Sequence, residues 1–168
     1  MTDSERGFTL TRMLDAPRER VFQAWTDPWH LQWFYSDLVD PREPIEVDLR
    51  VGGVWRQKMI VDENTEYFTG GIYHEIVPPE RVVFTWGATN GWPQIDPDHL
   101  EDGPVVTVTL NEVGEKTEMT FHLGFPDHLS EERVREWFAR GIRQGWTDTL
   151  NRLVARFASA APRNQTAR

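Results

Sequence analysis

The chain has 168 residues, with 27 acidic against 18 basic side chains and a net charge of −9. That length suits one domain, and the acidic balance argues against nucleic acid or an anionic membrane as partner, since both call for a basic patch. There is no cysteine, hence no disulfide, thiolate nucleophile or Cys-ligated zinc. No apolar run is long enough for a transmembrane span, and the N-terminus lacks a signal-peptide core, so the expectation is a soluble cytoplasmic protein.

In chain order, residues 1–7 are polar and expected to be flexible. Phe8 to Leu14 reads as a strand with Phe8, Leu10 and Leu14 on one face and Thr9, Thr11 and Met13 on the other. Asp15-Ala16-Pro17 then opens a helix with Val21, Phe22 and Trp25 on its apolar side, and Pro17 in a first-turn position. Asp27-Pro28 repeats the start signal for a second short helix carrying Leu31, Trp33 and Phe34. A run of strands follows. Ile45, Val47 and Leu49 alternate with charged residues, Gly52-Gly53 marks a hairpin turn, and Val54 to Val61 returns. Tyr67 to Val77 is the next strand, with a bulge expected at Gly70-Gly71. Pro78-Pro79 ends it, and Val82 to Trp86, Val105 to Leu110 and Thr117 to Leu123 complete an antiparallel meander. The connection from Thr89 to Pro104 is too long for a hairpin and holds Trp92, so it is expected to fold back over the domain.

Ser130 to about Ala158 is the longest periodic run. Val134, Phe138, Ile142, Trp146, Leu150, Leu153 and Phe157 recur at steps of three and four, the spacing of one helix face. Ser130 is placed to cap the start, and Glu131 and Glu132 suit the positive end of the dipole. A helix of this length spans roughly 43 Å and must lay its face on the sheet. Gly141 and Gly145 lie within it. They read either as close packing against a strand or ring, or as room for a ligand. Arg135, counted from Phe138 and Ile142, points to the apolar face: a side chain snorkelling past the helix end, or a cation at a pocket mouth. Residues 159–168 lose the periodicity and are expected to be flexible.

Little chemistry is legible. There is no G-x-S-x-G and no phosphate-binding glycine loop, and the five His lack the H-E-x-x-H spacing. Asp96, Asp98, His99, Glu101 and Asp102 cluster, but Leu100 stands where a calcium loop needs an oxygen ligand, so no metal is expected. Nor is any cofactor. The eight Trp are the sharper signal. Trp25, Trp55 and Trp146 read as core, whereas Trp33, Trp86, Trp92 and Trp137 stand where a pocket would open. Rings there suit a flat apolar ligand.

Several separated motifs, in order, carry a resemblance. Ala16-Pro17, Val21-Phe22 and Ala24-Trp25-Thr26-Asp27-Pro28 are the first, followed by Trp33-Phe34 and by Asp48-Leu49-Arg50-Val51-Gly52-Gly53-Val54-Trp55-Arg56. Gly71-Ile72-Tyr73, Glu75 to Arg81, Phe84-Thr85-Trp86, Met119-Thr120-Phe121-His122, Gly124-Phe125 and Gly145-Trp146-Thr147 complete them. Together they resemble the activator of heat-shock-protein-90 ATPase homologues, a family of the START-like (SRPBCC) superfamily. The resemblance implies an α+β helix-grip fold: about seven antiparallel strands curled around a long C-terminal helix, with two short helices after strand one, in a single domain over residues 8–158. It also implies a ligand space between sheet and helix. The Thr89 to Pro104 stretch departs from the compact pattern.

The resulting expectation is a protein that binds a small apolar or aromatic molecule, as monomer or homodimer. Trp33, Tyr73, Trp86, Trp92, Arg135, Trp137, Phe138 and Gly141 are the candidate lining. Two alternatives stay open. One is an enzyme of polyketide-cyclase or hydratase type, using Arg135, Tyr73 or His99 as its polar group. The other is a co-chaperone-like interaction module, for which an exposed apolar patch on the outer sheet is the expected mark.

Overall fold

The computed structural model describes residues 6–27, 46–62, 64–88, 103–139 and 141–166; for 56–62, 65–70, 87, 88 and 158–166 the description is of the backbone. The expected second short helix, with Trp33, and the segment bearing Trp92 and His99 lie outside the described residues.

Seven strands form one antiparallel sheet: β1 (Gly7–Leu14), β2 (Glu46–Val47), β3 (Val54–Asp62), β4 (Thr65–Val77), β5 (Arg81–Ala88), β6 (Val105–Val113) and β7 (Lys116–Gly124). Their order is β1-β7-β6-β5-β4-β3-β2. From β2 to β7 each strand pairs with the next in chain order, and the last strand closes on the first through Phe8↔Leu123 and Leu14↔Thr117. The helices are α1 (Arg18–Thr26), α2 (Glu131–Ala139) and α3 (Ile142–Thr166). This is the α+β helix-grip architecture, with one difference: the C-terminal helical stretch is two helices.

Alternation decides which face of each strand is buried. On β6, Val106, Val108 and Leu110 point inward, and opposite them Leu123, Phe121 and Met119 of β7 do the same. None of the six is more than 2% exposed. Burying each stabilises the fold by about 1.5–3 kcal/mol relative to leaving it in water. From α3, Ile142, Trp146, Leu150, Leu153 and Phe157 meet this face. The phenyl ring of Phe121 ties the layers together, lying 4.7 Å from Trp146, 6.3 Å from Trp25 of α1 and 6.2 Å from Phe8. The Thr117 hydroxyl donates to the Ala16 carbonyl at 2.7 Å, fixing the turn that leads into α1. Likewise the Arg6 guanidinium donates to the Pro126 and Leu129 carbonyls, each at 2.7 Å, and holds the connection between β7 and α2.

The break in the C-terminal helix is at Gly141, whose φ is +87°. Its N–H donates to the Phe138 carbonyl and so closes α2; its own carbonyl accepts from the Gly145 N–H in the first turn of α3. A left-handed residue of this kind is the usual helix terminator, and glycine adopts it without a Cβ penalty. The four-residue step from Phe138 to Ile142 fits an unbroken helix equally well, which is why the apolar spacing conceals the break. Ser130 caps α2 as expected, accepting from the Arg133 N–H at 3.2 Å. At the other end α3 runs to Thr166, past the last periodic residue.

The expected bulge at Gly70-Gly71 is absent: β4 pairs regularly there with both neighbours, Gly71 opposite Trp55 and Trp86. The irregularity against β5 falls at His74, between Tyr73 and Glu75. Gly71 is required for a different reason. A Cβ there would lie 2.5 Å from the Thr85 carbonyl oxygen, 2.7 Å from Trp55 Nε1 and 2.9 Å from Phe84 Cδ1. Two large rings come down on this backbone.

Candidate functional site

Among the described inward residues, β3, β4 and β5 supply Trp55, Tyr73, Phe84 and Trp86 beside Val82, where those of β6 and β7 are mainly aliphatic. Period-2 alternation puts Phe84 and Trp86 on one face of β5, and register brings Tyr73 opposite Phe84. Phe84 meets Trp55 edge-on at 5.5 Å and Tyr73 at 6.3 Å. Trp86 continues the surface to the helices, 5.3 Å from Trp146 of α3 and 5.9 Å from Trp137 of α2. Trp137 in turn touches Phe125 at 5.9 Å, and Phe125 meets Phe138 at 5.7 Å. The result is a continuous aromatic wall from β3 across the sheet to α2. Most of these contacts are tilted or edge-to-face, arrangements worth roughly 0.5–1.5 kcal/mol per pair beyond burial.

Tyr73 is the polar point of this wall. It is 1% exposed, and its hydroxyl has no hydrogen-bond partner. Burial pushes the phenol well above its ordinary value of 10, so it remains a neutral O–H donor at any physiological pH. Other buried hydroxyls are matched. Thr26 donates to the Phe22 carbonyl, Thr117 to Ala16 and Thr149 to Gly145, and Thr85 pairs with His74 Nε2. Arg18 Nε is likewise buried without a partner, on a half-buried side chain at the start of α1.

Of the eight candidate residues, the structure brings Tyr73, Trp86, Trp137 and Phe138 to the concave side of the sheet. Tyr73, Trp86 and Trp137 are buried, and Phe138 is half-buried against Phe8 and Phe125. Trp33 and Trp92 are outside the described residues. Arg135 corrects the expectation that it faces inward. Its side chain is 65% exposed and sits 4.0 Å from Glu131 one turn back. Within α2 the buried positions are Val134 and Trp137, and Arg135 is rotated about 100° from Val134, away from the sheet. Gly141 is corrected too. It is a helix terminator, not a notch in a helix face, and a Cβ there would meet nothing within 4 Å. Gly145 is exposed on α3 and equally uncrowded. Neither glycine makes room beside a ring.

Two wall residues escaped the sequence reading as site candidates. Trp55 was assigned to the core, and Phe84 was not singled out. Their shared signal is alternation: Val82, Phe84 and Trp86 occupy successive inward positions of β5, and Trp55 faces Gly71. On the opposite face, His122 is exposed and its Nδ1 lies 2.8 Å from Thr9 Oγ1, as its alternation with Phe121 and Leu123 implies. No described helix is long and apolar enough to cross a membrane.

Comparison with known proteins bears on this arrangement. The family model described as "Activator of Hsp90 ATPase homolog 1-like protein" matches residues 15–158. No curated protein matches. Among solved structures, a protein of Arthrobacter aurescens is similar with a TM-score of 0.74 at 22% identity, over 95% of this chain and 90% of that one. A Chromobacterium violaceum protein is similar with a TM-score of 0.62 at 25% identity, over 90% and 96%. An HSP90 activator from Plasmodium falciparum gives 0.56 at 23%, over 85% and 89%.

Proposed function

This chain belongs to the family of activator of Hsp90 ATPase homolog 1-like proteins, and we propose that it binds a small apolar or aromatic molecule between the sheet and the C-terminal helices. The observation that carries the reading is the aromatic wall of Trp55, Tyr73, Phe84, Trp86 and Trp137, assembled from three strands and α2 on the concave side. Stacked and edge-on rings with one polar tip are the usual lining of a site for a flat apolar ligand. The fold also commonly holds hydrophobic molecules in this space. Native mass spectrometry of the protein purified from its own host tests the reading. The expected result is a co-purified small molecule that organic solvent releases. A bare protein mass, together with no uptake of an apolar dye, would refute it.

A second reading, an interaction module, is favoured by a different observation. Leu49, Val51 and Val54 are 44%, 66% and 47% exposed around the hairpin that joins β2 to β3. An apolar cluster on an edge hairpin is a surface that a partner protein covers, and one similar structure is an HSP90 activator. Calorimetric titration against a chaperone ATPase of that class, repeated with Val51→Ser, separates this reading from small-molecule binding.

A further inference from the structure

Resting on the ligand-binding reading above, we infer that the molecule taken up is uncharged and presents a hydrogen-bond acceptor, such as a ketone, ester or ether oxygen, to the Tyr73 hydroxyl. The inference starts from an imbalance inside the wall. A hydroxyl removed from water without a partner is destabilising, and native proteins rarely leave one so. Each buried Thr hydroxyl has its acceptor or its histidine, but the Tyr73 hydroxyl, on a residue only 1% exposed, has none. Of the described rings, Phe84 against Tyr73 is a hydrocarbon, and the Trp55 indole against Phe84 carries only a donor N–H. Among the described residues the hydroxyl finds no acceptor, and a bound molecule would supply one.

The same surroundings decide the charge of that acceptor. The buried polar or charged residues among those described are four threonines, and none of them is ionisable. Arg135, the cation expected here from sequence, is on the outer side of α2 beside Glu131. A carboxylate or phosphate brought to Tyr73 would therefore be a buried anion facing neutral donors, which is strongly unfavourable. A carbonyl or ether oxygen loses much less on leaving water and gains the hydrogen bond that the Tyr73 hydroxyl has to give. Because burial holds the phenol neutral, it stays a donor. A ligand that itself must donate to this oxygen leaves the O–H unmatched.

Three fluorescent naphthalenes of similar shape test this on the full chain. The first is prodan, which carries a neutral ketone. The second is its propyl counterpart, in which the ketone is replaced by CH2, and the third is the corresponding naphthoate anion. We expect both neutral probes to bind and the naphthoate to bind at least about 100-fold more weakly than prodan. Tyr73→Phe should weaken prodan roughly fivefold to tenfold, the loss of one hydrogen bond, and leave the propyl counterpart unchanged. Prodan emission supplies a readout that needs no variant: on the wild-type protein it should be shifted to the red of its emission in hydrocarbon, because its carbonyl accepts a hydrogen bond. Hydrocarbon-like emission, equal loss of both neutral probes in Tyr73→Phe, or no loss of either would overturn the inference while the binding reading stands. If none of the three probes binds, the binding reading fails and this inference with it.

Discussion

The two halves of the sheet are built from the same alternation and finish differently. Where β1, β7 and β6 meet α1 and α3, inward positions are filled by residues such as Met119, Phe121, Leu123, Val106 and Val108, each 0% exposed. Thr117, the polar intruder there, donates to Ala16. Where β3, β4 and β5 face inward, rings take over, Gly71 is stripped to its backbone to admit them, and Tyr73 keeps an unmatched hydroxyl. Burial alone does not separate the halves, since the described inward residues named in both are buried. The hydroxyls differ: Thr26, Thr117 and Thr149 are matched in the first half, and Tyr73 in the second is not. On the proposed reading the first half serves stability and the second receives the ligand. A molecule that must be stable when empty and still bind tightly can divide these tasks between two sides of one sheet.

Breaking the first half should have the largest effect. Phe121 touches Phe8, Trp25 and Trp146, so Phe121→Ala should cost about 3–5 kcal/mol in urea unfolding. A loss below about 1 kcal/mol would mean that the layers are not joined there. In the ring-lined half, Gly71→Ala drives a methyl against the Thr85 carbonyl and the Trp55 and Phe84 rings. Overpacking of this kind should cost about 1–3 kcal/mol. It should also alter the Trp55 environment, visible in near-ultraviolet circular dichroism.

The two glycines of the C-terminal helices sharpen the contrast between strain and space. Gly141, at φ +87°, should lose roughly 1–2 kcal/mol on mutation to Ala, because an L-residue is strained in the left-handed region. Gly145 is helical, exposed and uncrowded, so Gly145→Ala should instead raise stability by about 0.5–1 kcal/mol. Equal effects on the melting temperature would argue for one continuous helix. An effect of similar size is expected at Tyr73. Tyr73→Phe removes an unmatched buried hydroxyl and should raise the stability of the ligand-free protein by about 1 kcal/mol. Its phenol is raised in the fold above an ordinary value of 10, so the unfolded chain releases that proton first. Stability is therefore fully present below about pH 10 and falls above it, by up to roughly 1.4 kcal/mol per pH unit from this group. The alkaline loss should be shallower in Tyr73→Phe, measured by urea unfolding from pH 8 to 11.

Much of the fold was legible because period-2 and period-3.6 patterns report burial directly. Phe8 and Leu14, or Val106, Val108 and Leu110, could face only one way. The family motifs added the connection of the strands into a curled sheet. The site was less legible because it depends on phase and on register. Arg135 was placed by counting from Phe138 and Ile142 across a break that the spacing hides, and Val134 with Trp137 sets the true face of α2. Gly71 was marked as special, but a glycine crowded by rings and a glycine in a bulge look alike without knowing that Trp55 and Phe84 converge on it. Tyr73 is among the lining residues expected from sequence, and it is buried. That its hydroxyl lacks a partner depends on atoms from two other strands and has no signature in the chain itself.

The central claim is that an apolar molecule lodges against the aromatic wall, and energy transfer from the core tryptophans tests it most directly. Trp86 is 5.3 Å from Trp146 and 5.9 Å from Trp137, so a guest seated on the wall would lie within a few ångströms of three indole donors. Titration with N-phenylnaphthylamine, excited through tryptophan, should quench indole emission and sensitise the probe, saturating at one probe per chain and reversing when urea unfolds the protein. Absence of transfer, or transfer that grows without saturation, would contradict the account.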